Sequence, residues 1–267
     1  MTVAIIGAGV MGETLLSGLV RSGRPAAELL VVERRPERAA ELRERYGVAV
    51  VSDEEATKSA DTVTLVVKPQ DMAEVLAQIS PYLRPGQLLV SLAAGITTAY
   101  IEERIPGGIA VVRVMPNTPA LVDQGMAAIS PGTHCDDGHL RIAEELLAAT
   151  GKVMRVPEKQ QDAVTAISGS GPAYLFFVVE AMIDAGVLLG LPRSTATDLV
   201  VQTVVGSAML LRETGEHPTV LRERVTSPGG TTAAAVRQLE DHKVRAAFIT
   251  AIEAARDRSV ALAKGTD

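Results

Sequence analysis

Val3-Ala4-Ile5-Ile6-Gly7-Ala8-Gly9-Val10-Met11-Gly12 is a short apolar run that breaks into glycines and then turns helical as far as about Arg21. Gly7 to Gly12 fits G-x-G-x-x-G. Alone that pattern is weak, but between a strand and a helix it describes a dinucleotide-binding turn. Gly7 permits the tight turn, Gly9 lets a pyrophosphate reach the backbone, and Gly12 allows the helix to lie close on the strand. The helix N-terminus adds unpaired N–H groups and a dipole favourable to phosphate. Ile6, Gly7, Ala8, Gly9, Val10, Met11 and Gly12 are therefore cofactor-binding candidates.

The alternation continues outward from this turn. Apolar or β-branched runs at Val3–Ile6, Leu29–Glu33, Val48–Val51, Val63–Val67, Leu88–Leu92, Ile109–Val114, Met126–Ser130 and Val153–Val156 read as strands. Helical stretches such as Pro36–Tyr46, Asp71–Ser80 and Gly138–Thr150 fall between them. Continuously apolar strands suit a parallel sheet covered on both faces, and the alternation implies a doubly wound α/β Rossmann domain over residues 1–157. Past Pro157 the pattern is helical throughout: Pro172–Leu189, Arg193–Glu213 and Lys243–Lys264, with shorter runs around Thr219–Arg224 and Thr232–Glu240. Residues 158–267 are thus expected to form an all-α C-terminal domain. Helices apolar on most faces need cover on most faces. An intertwined homodimer is the expectation, with a monomeric bundle around one large core as the alternative.

Composition narrows the function classes. The 267 residues are 47% hydrophobic and 22% charged, the balance of a globular protein. Aromatics make up 3%, so the core has to be aliphatic. A net charge of −6 argues against partners such as nucleic acid or anionic membrane, which need clustered cations. Cys135 is the lone cysteine, and a reducing cytoplasm is expected. No basic region precedes the first apolar run, so no secretory leader is expected. Tyr174 to Leu191 is the most membrane-like stretch, yet Glu180 and Asp184 make a bilayer span costly.

The second strand ends in Glu33-Arg34-Arg35. Glu33 stands about 20 residues past Gly12, where an acid contacts the ribose 2′-hydroxyl of NAD. Arg34 and Arg35 instead suit the 2′-phosphate of NADP. The two arginines show no other evident partner, so NADPH is expected, with NADH as the alternative. Further turns follow other strand ends: Val67-Lys68-Pro69, Ala93-Ala94-Gly95, and Met115-Pro116-Asn117-Thr118-Pro119. Ligands of open α/β sheets bind there. Val67, Lys68, Pro69, Ala93, Ala94, Gly95 and Asn117 join the cofactor-binding set.

In the helical part, Ser168-Gly169-Ser170-Gly171-Pro172 leads into the longest apolar run, with Pro172 well placed for a first helical turn. Ser227-Pro228-Gly229-Gly230-Thr231-Thr232 precedes another helix. Gly-Gly amides followed by hydroxyls at a helix start make a carboxylate cradle. His134-Cys135-Asp136-Asp137 with His139 gathers ligand types without a zinc spacing, and no metal is expected. His217 before Pro218 reads as a helix-start contact.

Taken in order, these segments resemble the pyrroline-5-carboxylate reductases. The resemblance rests on Gly7–Gly12, Val67-Lys68-Pro69, Ser91–Gly95, Met115–Pro119, Asp162-Ala163-Val164-Thr165 with Ser168–Tyr174, Gly190-Leu191-Pro192-Arg193, and Glu216-His217-Pro218 with Ser227–Thr232. It implies a Rossmann domain followed by a helical dimerisation and substrate domain, with dimers that associate further into rings. It implies reduction of a small cyclic imino acid, L-1-pyrroline-5-carboxylate, to L-proline by NAD(P)H. Ser227, Gly229, Gly230, Thr231 and Thr232 would bind substrate, with the amides of Gly230, Thr231 and Thr232 on its carboxylate. Thr165 and Thr232 would lie near the ring nitrogen, Thr232 as hydrogen-bond or proton donor. Two other readings stay open. A β-hydroxyacid dehydrogenase would need a lysine base, for which only Lys159 is at hand, and a dinucleotide sensor would bind without turnover.

Overall fold

Apolar runs too short for helices become the eight strands of one sheet: β1 (Val3–Ile6), β2 (Leu29–Val32), β3 (Ala49–Val50), β4 (Thr62–Leu65), β5 (Leu88–Ser91), β6 (Ala110–Met115), β7 (Gly125–Pro131) and β8 (Gly151–Arg155). The structure is a computed structural model and describes residues 1–263. The strand order is β3-β2-β1-β4-β5-β6-β7-β8. Pairing is parallel from β3 across to β6. There the expected parallel sheet changes direction: β7 runs antiparallel to β6, and β8 runs parallel to β7. The cause is the connection. Between β6 and β7 lies only a 3₁₀ turn, Thr118–Val122, far short of the dozen or so residues that a parallel crossover needs.

Helices α1 (Val10–Arg21), α2 (Pro36–Tyr46), α3 (Asp53–Ser59), α4 (Met72–Ile79), α5 (Thr98–Glu102) and α6 (Asp137–Ala148) lie between the strands. Local chemistry sets their ends. Pro36 starts α2 and Gly47 stops it in the left-handed conformation, as the residue preferences at helix ends dictate. Alternation along β1 divides the core in two. Val3 and Ile5 join Leu15, Leu16, Leu19, Leu42, Leu146 and Leu147 on one face. Ala4 and Ile6 join Met72, Val75, Leu76, Ile79 and Ile101 on the other. Each fully buried aliphatic side chain contributes roughly 1.5–3 kcal/mol, and the largest of them are all Ile, Leu or Met, as the scarcity of aromatics requires.

After β8 come α7 (Gln161–Val164), a π-helical turn (Thr165–Gly169), α8 (Gly171–Leu188), α9 (Arg193–Thr214), α10 (Pro218–Arg224), α11 (Thr231–Asp241) and α12 (Val244–Ala263). By contacts the chain forms two units, Met1–Ser170 with the chain from Ala255 onward, and Gly171–Ala254. This division falls later than the expected Pro157. Residues 158–170 stay with the sheet because Gln161, fully buried, donates its Nε2 to Ala128 O at 3.2 Å and to Ser130 Oγ at 2.8 Å on β7. Ser259 on α12 likewise donates to Asp162 Oδ1 at 2.7 Å.

The second unit closes no large core of its own. Among its described residues the buried apolar side chains are Pro172, Ala196 and Val200. Phe176, Phe177, Leu188 and Leu189 are 68–88% exposed. Glu158–Leu188 and Arg193–Thr214 are long and apolar enough, by length and composition, to cross a membrane. Glu180 and Asp184 interrupt the first of them, and Asp184 pairs with Arg193 at 2.9 Å.

Helix α1 lies close on the turn that follows β1. A Cβ at Gly12 would stand 2.0 Å from Gly7 O. Gly12→Ala therefore overpacks the turn, at a cost of about 1–3 kcal/mol. Calorimetry should show a thermal midpoint lowered by several degrees and dinucleotide titration a loss of affinity. An unchanged midpoint would mean that α1 lifts off β1 freely.

Candidate active site

The carboxyl ends of adjacent strands gather most of the candidate residues. Gly7 at the end of β1 has φ +99°, and a Cβ there would lie 2.5 Å from Val66 O. Only glycine tolerates this combination. A Cβ at Gly9 would meet nothing within 4 Å, so space stands open above the backbone. Gly9 is also the N-cap of α1 and has no side chain to cap the first-turn N–H groups. Open space beside uncapped N–H donors fits a diphosphate.

Two clefts flank this turn. One, of about 190 Å³, is lined by Ile6, Gly7, Val32, Glu33, Arg34 and Val67. It lies where the strand order reverses between β1 and β4, the usual ligand position in such sheets. The other, of about 470 Å³, lies between Val10 and α2, with Arg35 and Arg38 on its wall. Lys68 and Pro69 are exposed just beyond β4, Ala93 is buried and Ala94 exposed beyond β5. Small residues at that position keep the strand end open to a flat ring.

The premise that Arg34 and Arg35 lack other partners is overturned. Arg35 donates its backbone N–H and Nε to Glu33 Oε1, each at 3.0 Å, and Nη2 to Oε2 at 3.1 Å. This fork holds the Glu33 carboxyl below the usual carboxylate range. Arg34 donates to Glu74 Oε1 at 3.1 Å and Gln78 Oε1 at 2.8 Å. A 2′-phosphate would therefore have to share or displace carboxylate partners. Arg38, absent from the sequence reading, is a third guanidinium at this wall and pairs with Glu13 and Glu41. Burial pushes Glu13 up, but hydrogen bonds from Tyr46 and Arg38 outweigh it and hold the carboxyl low. Arg38 follows Arg35 by one helical turn, and that spacing was the legible signal.

Asn117 acts as a brace. Its Nδ2 donates to Ser168 O at 3.2 Å and Ser168 Oγ at 3.1 Å, while its Oδ1 accepts from Met126 N at 2.8 Å. The loop after β6 is thereby tied to the π turn, a helical irregularity frequent at functional sites. Thr165 opens that turn, and its O accepts from Ser170 N at 2.8 Å. The Thr165 hydroxyl donates to Gln161 O at 2.8 Å. Its single proton is thus engaged and its lone pairs remain as acceptors.

Ser227–Thr232 belongs to the second unit. Gly229 turns at φ +70°, and the Gly230 N–H donates to Ser227 O at 3.0 Å. That amide is already committed, unlike the expected three-amide cradle. Thr231 and Thr232 occupy the first turn of α11, whose N-cap Gly230 offers no side-chain acceptor. Their N–H groups have no intrahelical partner and suit a carboxylate. His217 accepts from Thr219 N at 3.2 Å as the N-cap of α10. Asp136 and His139 form a capping box at the start of α6.

Comparison with known proteins adds a lineage to this geometry. Residues 158–262 match the family model for pyrroline-5-carboxylate reductase dimerisation. Residues 2–95 match the family described as NADP oxidoreductase, coenzyme F420-dependent. A pyrroline-5-carboxylate reductase of Corynebacterium melassecola is 47% identical over 267 residues, covering 98% of this chain and 99% of the relative. The solved structure of a pyrroline-5-carboxylate reductase from Coxiella burnetii superposes with a TM-score of 0.93 at 36% identity, covering 97% of each chain. That of Plasmodium falciparum pyrroline carboxylate reductase, with NADP bound, gives 0.88 at 30% identity over 98% of each chain.

The Glu33–Arg35 pair sets a pH dependence. A lowered carboxyl stabilises the fold above the ordinary glutamate value of about 4.3, and the contribution disappears as pH falls through the lowered value. Arg35→Ala should lower the thermal midpoint slightly at pH 7, with the two proteins converging in acid. A gap of equal size at all pH values would show that the pair contributes nothing through ionisation.

Proposed function

Because the chain belongs to the pyrroline-5-carboxylate reductase family, we propose that it reduces L-1-pyrroline-5-carboxylate to L-proline with NADPH, the last step of proline biosynthesis. The observation that carries this reading is the pair of uncapped helix N-termini, Gly9 on α1 and Gly230 on α11, in a chain that matches a named reductase end to end. One N-terminus suits a diphosphate and the other a carboxylate.

The reduced nicotinamide, when bound, supplies the hydride to the imine carbon. The protein's task is positioning, since a protonated imine is already electrophilic and needs no strong acid. Thr231 and Thr232 amides hold the substrate carboxylate, with Ser227 and Gly229 shaping the loop around them. The Thr232 hydroxyl orients the ring nitrogen, and Thr165, whose proton is committed to Gln161, accepts from the protonated nitrogen. Val67–Pro69 and Ala93–Gly95 border the nicotinamide end, and Asn117 holds the loop beside it. Arg34 and Arg35, joined by Arg38, select the 2′-phosphate in competition with Glu33, Glu74 and Glu41.

In functional division, residues 1–157 bind the dinucleotide and 158–267 supply dimerisation and substrate contacts. The chain self-associates, and exposed apolar faces on α8 and α9 are the surface an intertwined dimer would cover. Assembly of dimers into a ring and a cytoplasmic location, with no nucleic-acid or membrane partner, complete the reading.

Purified protein with pyrroline-5-carboxylate should oxidise NADPH and yield proline. Binding of NADPH without turnover would favour a sensor, and turnover of a 3-hydroxy acid a dehydrogenase of that class. Thr232→Ala should lose one transition-state hydrogen bond, about 1–3 kcal/mol or ten- to hundredfold in kcat/KM. Wild-type kcat/KM in that variant would remove the threonine from the chemistry. Arg34→Ala/Arg35→Ala should shift the NADPH to NADH ratio of kcat/KM toward NADH, and an unchanged ratio would sink the 2′-phosphate role.

A further inference from the structure

Arg113 lies on β6 beside Ser91 of β5, at the carboxyl end of the sheet, with its side chain 6% exposed. A guanidinium so far from water requires a partner. Glu158 provides it, accepting from Arg113 Nη1 on Oε1 at 3.2 Å. The same oxygen accepts from the Thr98 backbone N–H at 2.8 Å, and Oε2 accepts from the Thr98 hydroxyl at 2.7 Å. Thr98 is the first residue of α5, a helix that Thr97 already caps through Tyr100 N at 3.1 Å. Glu158 thus satisfies a second donor of that helix start.

All three residues adjoin the site without belonging to any of its motifs. Thr98 ends the loop that carries Ala93, Ala94 and Gly95. Arg113 stands two residues before Met115, the end of β6, after which the loop with Asn117 begins. Glu158 starts the run that reaches Thr165 and Ser168. Asn117 closes the bracket by holding Ser168. The π turn is therefore tied at its approach to one strand-end loop and at its far end to the next.

We propose that Glu158 is a positioning residue: one carboxylate that keeps the loops after β5 and β6 and the Thr165–Gly169 turn in common register at the nicotinamide end. This rests on the reductase reading. The adenosine end lies on β1 and β2, so loss of Glu158 disturbs one end of the cofactor and spares the other.

The test uses the full-length enzyme. Glu158→Ala should lower kcat at least tenfold and raise the isotope effect measured with NADPH deuterated at the transferred position, since misalignment slows hydride transfer itself. Affinity for 2′,5′-ADP, by calorimetry, should stay within twofold of wild type. Glu158→Gln keeps an acceptor for the Thr98 N–H and should recover most of kcat. Arg113→Met with Glu158→Met removes the buried charge together with its partner, and should restore the thermal midpoint without restoring kcat. The proposal is overturned if kcat follows the midpoint through the series and returns in the double variant. It is also overturned if 2′,5′-ADP affinity falls in step with kcat. Should the wild type leave the imine untouched, the reductase reading fails separately. Binding then decides: Glu158→Ala weakening NADPH but not 2′,5′-ADP supports the brace, and equal losses or none overturn it.

Discussion

Residue 12 has no room for a side chain without displacing its neighbours, and much of the first unit is arranged around that fact. With hydrogen alone at this position, α1 settles toward β1 until the Gly7 carbonyl oxygen stands 2.0 Å from where a Cβ would be. The approach fixes where the α1 N-terminus points, over the carboxyl ends of β1 and β4. It also lets Leu15, Leu16 and Leu19 reach the sheet and close one of the two cores. The same contact thus serves packing and ligand placement. This is why the glycine turn is legible both as a fold signal and as a binding signal.

Charge at the end of β2 follows a different logic. Glu33 pairs with Arg35, Arg38 bridges Glu13 and Glu41, and Arg34 pairs separately with Glu74. The Arg34–Glu74 pair is exposed on both sides and such pairs are weak individually, whereas Glu33 and the Arg38–Glu13 pair are largely covered, so a phosphate exchanges most readily at Arg34. The conflicting sequence signals for NAD and NADP have a physical basis here. The acid and the arginine compete for each other before either meets a cofactor.

The second unit shows the opposite of self-sufficiency. Its long helices have apolar residues on most faces, yet Phe176, Phe177, Leu188 and Leu189 stay largely exposed in one chain. An uncovered apolar area of this extent marks an interaction surface. The match to a dimerisation family over residues 158–262 points to self-association, and the low aromatic content with many Ala, Val and Leu residues suits closely approached helices.

The sequence by itself determined the eight strands, most of the helices between them, the change to all-helical structure after Pro157 and the two glycine-led helix starts at Gly9 and Gly230. Each of these rests on local periodicity or turn chemistry, which neighbouring residues carry within themselves. It did not determine the reversal at β7, which follows from how short a connection the sheet must span. Nor did it determine that Arg34 is held by Glu74 and Gln78, or that Asn117 braces Ser168. Those are choices among partners. The placing of residues 158–170 with the sheet is another, set by Gln161 and Glu158 meeting groups far away in sequence. Hydrogen bonds and ion pairs between distant residues depend on which donors and acceptors the folded backbone brings within about 3 Å, and only the tertiary structure decides that.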